Sequence, residues 1–252
     1  KEDLTNARVG WKLFNSEGKS YSEGGFTGMN ILSGGVREIG EIAFALNFSE
    51  KAEKLKIQVA IDGTKYRNEY DIWVYPGSID TSVPAGILIS ERLDTKTISH
   101  LENGGKALII PDHNKLIHCI GGAFQTDFWC YPMFARAARN NGIEPAPGSL
   151  GFICNPASPL LEHFPTEFHS NWQWWQLVKN CKPIILDETP ADYKPILQTI
   201  DNFDRNHKLG MIFETKYGKG SALICAIDLL KLQDKPEARQ LYYSILKYLD
   251  SD

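Results

Sequence analysis

The stretch PGSIDTSVPAG, residues 76–86, divides the sequence into two parts with different hydrophobic patterns. It is rich in Pro, Gly and Ser, a composition typical of a linker between domains. Before it, apolar residues alternate with polar ones. After it, short apolar runs alternate with helical patterns. The sequence therefore predicts two domains, at residues 1–76 and 77–252.

The first domain shows the period of two that marks half-buried strands. The clearest run is KLKIQVAID at 54–62, and runs at 9–13, 42–46 and 70–74 follow the same alternation. Turn signals such as Glu23-Gly24-Gly25 lie between the runs. This pattern predicts an immunoglobulin-like β-sandwich. Because 76 residues is short for that fold, we expect one or two strands to be missing or supplied by a preceding part of a longer polypeptide.

The second domain reads as a doubly wound α/β layer with an antiparallel addition near its end. Its first βαβ unit combines a strand at 87–90, a helix that Asp94 or Thr95 can cap, and a strand at 106–110. Two further units are predicted around helices at 131–140 and 172–179. The remaining predicted elements are strands at 150–153, 183–186 and 196–200, a hairpin across 218–220, and an amphipathic helix that starts near Pro236 and docks on the sheet.

Composition narrows the classes of partner. Lys and Arg number 27 against 31 Asp and Glu, a net charge of −4, so the sequence lacks the positive field that binds nucleic acid. No run approaches the roughly 18 apolar residues of a membrane span. The first nine residues are too polar for a signal peptide. We expect neither a nucleic-acid partner nor a membrane span.

Metal, cofactor and disulfide signals are weak. The five cysteines are far apart and form no CxxC pair, and the six histidines show neither HxH nor HExxH spacing. The glycine pairs lack the frame of a nucleotide-binding loop. We therefore expect no metal site and no cofactor, and cysteine usage leaves the cellular compartment open.

Five segments resemble the C-terminal region of Bacteroidetes glycoside hydrolases of family two, which are β-galactosidase-like or carry a sugar-binding domain. They are NEYDIWVYP at 68–76, LENGGK at 101–106, FPTEFHSNWQWW at 164–175, IDNFDRNHKLG at 200–210 and PEARQL at 236–241. In that family such a region follows the catalytic barrel, and its α/β part is similar to class I glutamine amidotransferases, which have a flavodoxin-like fold.

What the resemblance implies is an accessory, noncatalytic region that packs against the catalytic barrel of its parent polypeptide or shapes access to it. It also implies a periplasmic or secreted location. A (β/α)₈ barrel takes about 250 residues, nearly the whole chain of 252. With residues 1–76 in a separate domain, no room remains for the barrel that holds the family's catalytic carboxylates, and no catalytic residue is carried over.

Half of the six tryptophans fall within residues 172–175, which makes this segment the main candidate site. In one interpretation an indole face stacks on a sugar while neighbouring polar groups bind its hydroxyls, or the same residues contact another domain. In the other, helical spacing buries Trp172 with Trp175 on one side and Trp174 with Leu177 on the other. The candidate contacts are Glu167, His169, Asn171, Trp172, Trp174 and Trp175.

A second aromatic patch comprises Phe124, Phe128, Trp129, Tyr131 and Phe134. Trp129 could line a pocket together with Asp127, or the patch could pack in the core or against another domain. Asp127 and Trp129 are therefore further candidates for carbohydrate or interdomain contact.

Two other functions stay open. One is an independent carbohydrate-binding module that uses residues 172–175. The other is a hydrolase with Cys154 as nucleophile, an idea that the amidotransferase resemblance raises. The sequence argues against it, because Asn155-Pro156 follows the cysteine and no small residue two positions later permits the tight elbow such a nucleophile needs.

Overall fold

The computed structural model describes residues 2–47, 49–121, 131–143, 148–202 and 205–251. The chain forms two compact units, Lys1–Ser78 and Ile79–Asp252. Both contain a sheet, and helices occur only in the second, so among the described residues the fold is a β unit followed by a mixed α/β unit. No described helix is both long and apolar enough to cross a membrane.

The first unit is one antiparallel sheet of four strands in the order β2-β1-β3-β4. Alternation along β1 and β3 places Leu13 and Leu55 on the same face, where they are buried with Val74. Phe44 and Ile57 pack against this cluster. The strands are β1 (Leu4–Asn15), β2 (Ser20–Ile31), β3 (Glu53–Ile61) and β4 (Arg67–Val74).

Two local predictions for this unit are wrong. Residues 42–46 form no strand. Phe44 of this run packs on the sheet, with its ring centroid 6.1 Å from that of Trp11, whereas Leu46 is exposed. Gly24 and Gly25, expected in a turn, lie inside β2 opposite Trp11 and Gly10. A Cβ at Gly24 would lie only 2.8 Å from the Trp11 indole, so glycine serves close packing here rather than a turn.

The predicted sandwich is not complete within the described residues. A β-sandwich requires two facing sheets, whereas residues 2–47 and 49–78 form one. The segment between β2 and β3 supplies Phe44 to the apolar face in place of a second sheet. An irregular segment therefore covers part of this face.

The second unit contains a mixed sheet in the order β5-β6-β11-β10-β9-β7, with β8 paired to β10. Strands β5, β6 and β11 are parallel, and all pairs beyond β11 are antiparallel. The strands are β5 (Ile87–Ser90), β6 (Lys106–Ile109), β7 (Ser149–Cys154), β8 (Ile184–Ile185), β9 (Leu197–Asp201), β10 (Lys208–Tyr217) and β11 (Gly220–Cys225).

The first predicted βαβ unit is confirmed. Helix α1 (Thr95–Glu102) joins β5 to β6, and the Asp94 side chain caps it by accepting from the Thr97 amide at 2.9 Å. Leu101 is buried with Ala107 of β6 and Ala222 of β11. This helix therefore packs on the parallel part of the sheet.

The second and third βαβ units are wrong, because β7 and β8 pair antiparallel with β9 and β10. Their helices, α2 (Tyr131–Asn140) and α3 (Trp175–Lys179), are present, although α3 is preceded by a 3₁₀ turn at Trp172–Trp174. The apolar periodicity locates these strands but carries no information on their direction.

The last helix, α4 (Pro236–Asp250), buries the predicted face that includes Leu241 and Ile245. Ser244 Oγ donates to Leu160 O at 2.6 Å, and Gln240 Nε2 donates to His163 O at 2.6 Å. These bonds attach α4 to the segment that leads into the candidate site.

Candidate functional site

The candidate segment at 164–175 turns sharply at Asn171. The Asn171 side-chain oxygen accepts from the Gln173 amide at 3.2 Å and caps the 3₁₀ turn Trp172–Trp174. Asparagine is favoured at this position because its side chain satisfies an amide that has no partner within the turn. Gln173 is itself buried and donates to Pro165 O at 2.8 Å. The segment is therefore fixed by its own polar groups.

Trp174 is fully buried, as the packing interpretation predicts. Its ring meets Phe152 and Phe164 edge to face, with centroids 4.6 and 4.9 Å away. Its indole nitrogen donates to Thr166 Oγ1 at 2.8 Å, so this buried N–H has a hydrogen-bond partner. Trp174 belongs to the core and is not available to a ligand.

Trp172 and Trp175 are exposed, so the interpretation in which helical spacing buries this pair is wrong. Their exposed fractions are 73% and 36%. The two rings are nearly parallel, at 17°, with centroids 5.6 Å apart. A 3₁₀ turn has three residues per turn, which places residue 172 over residue 175 and directs residue 174 the other way. We call this pair the tryptophan stack.

Lys179 contacts one ring of the tryptophan stack. Its Nζ is 5.3 Å from the centroid of the Trp175 ring, within the range of a cation–π contact. The sequence analysis did not include Lys179 in the candidate site. Its spacing of four residues from Trp175 on a helix is a signal that could have revealed the contact.

Glu167 and Asn171 provide polar groups next to the stack. The Asn171 side-chain amide donates to Glu167 Oε2, and Asn171 directly precedes Trp172. Both side chains are partly exposed. The structure thus brings together four of the predicted contacts, namely Glu167, Asn171, Trp172 and Trp175.

His169 is exposed but belongs to a different set of contacts. Its ring lies 4.7 Å from the ring of Phe168, which is 64% exposed. Its backbone forms an isolated bridge with Ile153 at the edge of β7. The other two predicted contacts, Asp127 and Trp129, lie outside the described residues. So do Phe124 and Phe128 of the second aromatic patch, whereas Phe134 is exposed on α2.

Cys154, the candidate nucleophile, lies at the end of β7, with its amide hydrogen-bonded to Phe168 O at 3.0 Å. Its thiol donates to Glu167 O at 3.3 Å. Burial, with a smaller contribution from the Glu167 charge, raises the pKa of Cys154 to about 11. His169 pairs with Ile153, the preceding residue, and so points to the opposite face from Cys154. This arrangement does not activate a nucleophile.

Two acidic residues near the ends of β9 and β10 make close polar contacts. The Asp201 side chain is 1% exposed and pairs with Arg205 at 2.6 Å. It also accepts from the amides of Asn202 and His207. Asp187 pairs with His207 Nδ1 at 2.6 Å, and this hydrogen bond, with one from the Lys208 amide, lowers the Asp187 pKa. These contacts fix the ends of β9 and β10.

A polar pocket of about 500 Å³ lies at the amino ends of β5 and β6. Ligands of open α/β sheets bind at the opposite, carboxyl ends. Lys106, which lines the pocket, donates to Leu249 O at 2.9 Å and to Ser251 O at 2.6 Å, so it holds the end of α4. Among the described residues no group of three or more His, Cys, Asp or Glu side chains is placed to hold a metal ion.

Fold and site together define a two-unit protein with a mixed α/β second unit that displays an exposed tryptophan stack. Two family models match the chain: a domain of unknown function, DUF8488, over residues 1–76, and a domain of unknown function, DUF8487, over residues 88–252. The second match covers more than half of the chain, which therefore belongs to the DUF8487 family. No curated protein matches it.

Proposed function

We propose that the chain is a noncatalytic accessory region of a β-galactosidase-like glycoside hydrolase, exported to the periplasm or secreted, which packs against the catalytic barrel or shapes access to it. The resemblance of five segments to the C-terminal region of such enzymes supports this role. In this proposal the four-stranded sheet is part of an immunoglobulin-like sandwich, and the second unit is an amidotransferase-like domain without a working nucleophile.

The Cys154 environment supports the noncatalytic role. A nucleophilic cysteine needs a lowered pKa and a base within hydrogen-bond reach. Here burial raises the pKa of the thiol to about 11, and the thiol donates to a backbone carbonyl. The proposal therefore assigns hydrolysis to the catalytic barrel, where two carboxylates would carry out retaining chemistry.

A second candidate function, carbohydrate binding, is favoured by the tryptophan stack. An indole that is 73% exposed and rigidly backed by a second indole is the kind of surface on which the C–H face of a sugar ring stacks. Glu167 and Asn171 lie beside it and can exchange hydrogen bonds with hydroxyl groups. The stack is the single observation that carries this second function, because it gives the chain an exposed aromatic surface on which a sugar can stack.

Two assays on the intact chain test these proposals. Incubation with a chromogenic β-galactoside should give no turnover, and turnover that copurifies with the chain would contradict the noncatalytic role. Glycan-array binding should detect saccharides. Absence of array binding would leave the stack as a contact with the catalytic barrel and remove the second candidate function.

A further inference from the structure

We propose that the tryptophan stack is a binding site for a single, electrically neutral pyranose ring. This inference rests on the carbohydrate-binding function proposed above and deepens it. It names the number of sugar rings that the site holds and the charge that they carry.

The geometry of the stack limits it to one ring. The rings of Trp172 and Trp175 are nearly parallel, with centroids 5.6 Å apart, so Trp175 covers part of one face of Trp172. With 73% of Trp172 exposed, the opposite face is accessible. Two tryptophans side by side would offer two successive stacking surfaces along a polysaccharide. A stacked pair offers one such surface, the exposed face of Trp172.

The platform is also rigid before any ligand arrives. Asn171 caps the turn that carries Trp172, Trp174 anchors that turn in the core, and Lys179 lies against the Trp175 ring. A preformed surface loses little conformational entropy on binding, so even a ligand with a small contact area can bind. A single sugar ring is such a ligand.

Charge decides between neutral and acidic sugars. The Glu167 carboxylate is hydrogen-bonded to Asn171, the residue that precedes Trp172. A neutral ring can donate hydroxyl protons to a carboxylate and accept from an amide. A uronate or sulfated sugar would bring a second negative charge near Glu167, which is unfavourable. The cation–π contact of Lys179 is made with the Trp175 ring, whereas Glu167 is bonded to the residue next to Trp172.

Isothermal titration calorimetry on the intact chain tests the proposal with four probes: methyl β-D-galactopyranoside, methyl β-D-glucopyranoside, methyl β-D-glucuronide and linear cellotetraose. At least one neutral methyl glycoside should bind, and about tenfold more tightly than the glucuronide. The glucuronide should bind more weakly because its carboxylate is repelled by Glu167. Cellotetraose should bind within about threefold of the methyl glucoside, since only one ring stacks.

Three variants complete the test, each first checked for an unchanged melting temperature. Trp172→Ala should weaken binding at least about tenfold. Tyr217→Ala, which removes an exposed aromatic ring at the end of β10, should leave it unchanged. Glu167→Gln keeps a hydrogen-bonding side chain without the charge, so it should narrow the difference between glucuronide and glucoside.

The outcomes distinguish binding of a single neutral ring from carbohydrate binding in general. Cellotetraose binding much tighter than the methyl glycosides, or glucuronide binding as tightly as glucoside, would overturn the single neutral ring but leave carbohydrate binding intact. No heat from any of the four sugars, or equal binding by Trp172→Ala, would overturn both. The chromogenic assay decides the noncatalytic role independently.

Discussion

The indole nitrogen of Trp174 donates to the Thr166 hydroxyl at 2.8 Å, inside a core of aromatic rings. This bond lets the central tryptophan of the segment be buried completely. Because it fixes residue 174 inward, the three-residue repeat of the turn places Trp172 and Trp175 outward. One short segment thus provides both a core anchor and an exposed aromatic surface.

Truncation of Trp174 should destabilise the second unit strongly. Trp174→Ala removes the contacts with Phe152 and Phe164 and leaves a cavity, a change that costs about 3–5 kcal/mol of unfolding free energy. Thermal and urea denaturation measure it. Trp172→Ala is the matched control and should cost less than about 1 kcal/mol, since an exposed ring loses little on truncation. Equal losses for the two variants would contradict the assignment of core and surface.

The buried pair Asp201–Arg205 should be another strong determinant of stability. Arg205→Ala leaves the Asp201 carboxylate, 1% exposed, without its cationic partner, which should cost about 3 kcal/mol or more. Urea denaturation gives the value. In the matched control, Asp234→Asn breaks the exposed pair with Lys235 and should leave the urea denaturation midpoint nearly unchanged. A small effect of Arg205→Ala would show that the pair is dispensable.

Stability should fall at alkaline pH because of buried thiols. Burial raises the pKa of Cys154 to about 11 and that of Cys225 to about 12, from an ordinary value of 9.0. Above pH 9 the unfolded chain loses thiol protons that the folded chain retains, so stability is complete below this pH and decreases as the pH rises. Denaturation midpoints between pH 8.5 and 10.5 measure the slope. Cys225→Ala should make it shallower, and an identical slope in this variant would argue against the explanation.

Helix α1 and strand β11 meet too closely to admit a methyl group at Gly220. A Cβ there would clash with the carbonyl oxygens of Gly105 and Leu101, the latter at 2.6 Å, and both are backbone atoms. Gly220→Ala should therefore lower stability by about 1–3 kcal/mol. Gly121→Ala, which meets nothing within 4 Å, is the control and should change the melting temperature little. A tolerated alanine at 220 would mean that α1 can shift.

The parallel part of the second unit could be predicted because several local signals agree there. The Asp94 cap, the apolar runs at 87–90 and 106–110, and the glycines after α1 all indicate one βαβ unit. Strand β2 could not be predicted, because Gly24 and Gly25 indicate a turn in the sequence. Only the structure shows that the Trp11 ring requires a glycine at position 24.

The candidate site was predicted in composition but not in arrangement. Helical spacing groups Trp172 with Trp175 correctly, yet it does not say whether their common face is buried. The structure adds that the segment begins as a 3₁₀ turn and that the core has room for Trp174 and Leu177. Competition between aromatic side chains for one core position is a tertiary effect that spacing alone does not reveal.

Saturation-transfer NMR on the intact chain, with methyl β-D-galactopyranoside and methyl β-D-glucopyranoside, tests most directly whether Trp172 receives a sugar. We expect the C–H protons of one ring face to gain the most saturation from the protein. This signal should disappear in Trp172→Ala and persist in Tyr217→Ala. Equal saturation in Trp172→Ala and the parent chain, or none for either sugar, would contradict carbohydrate binding at the stack.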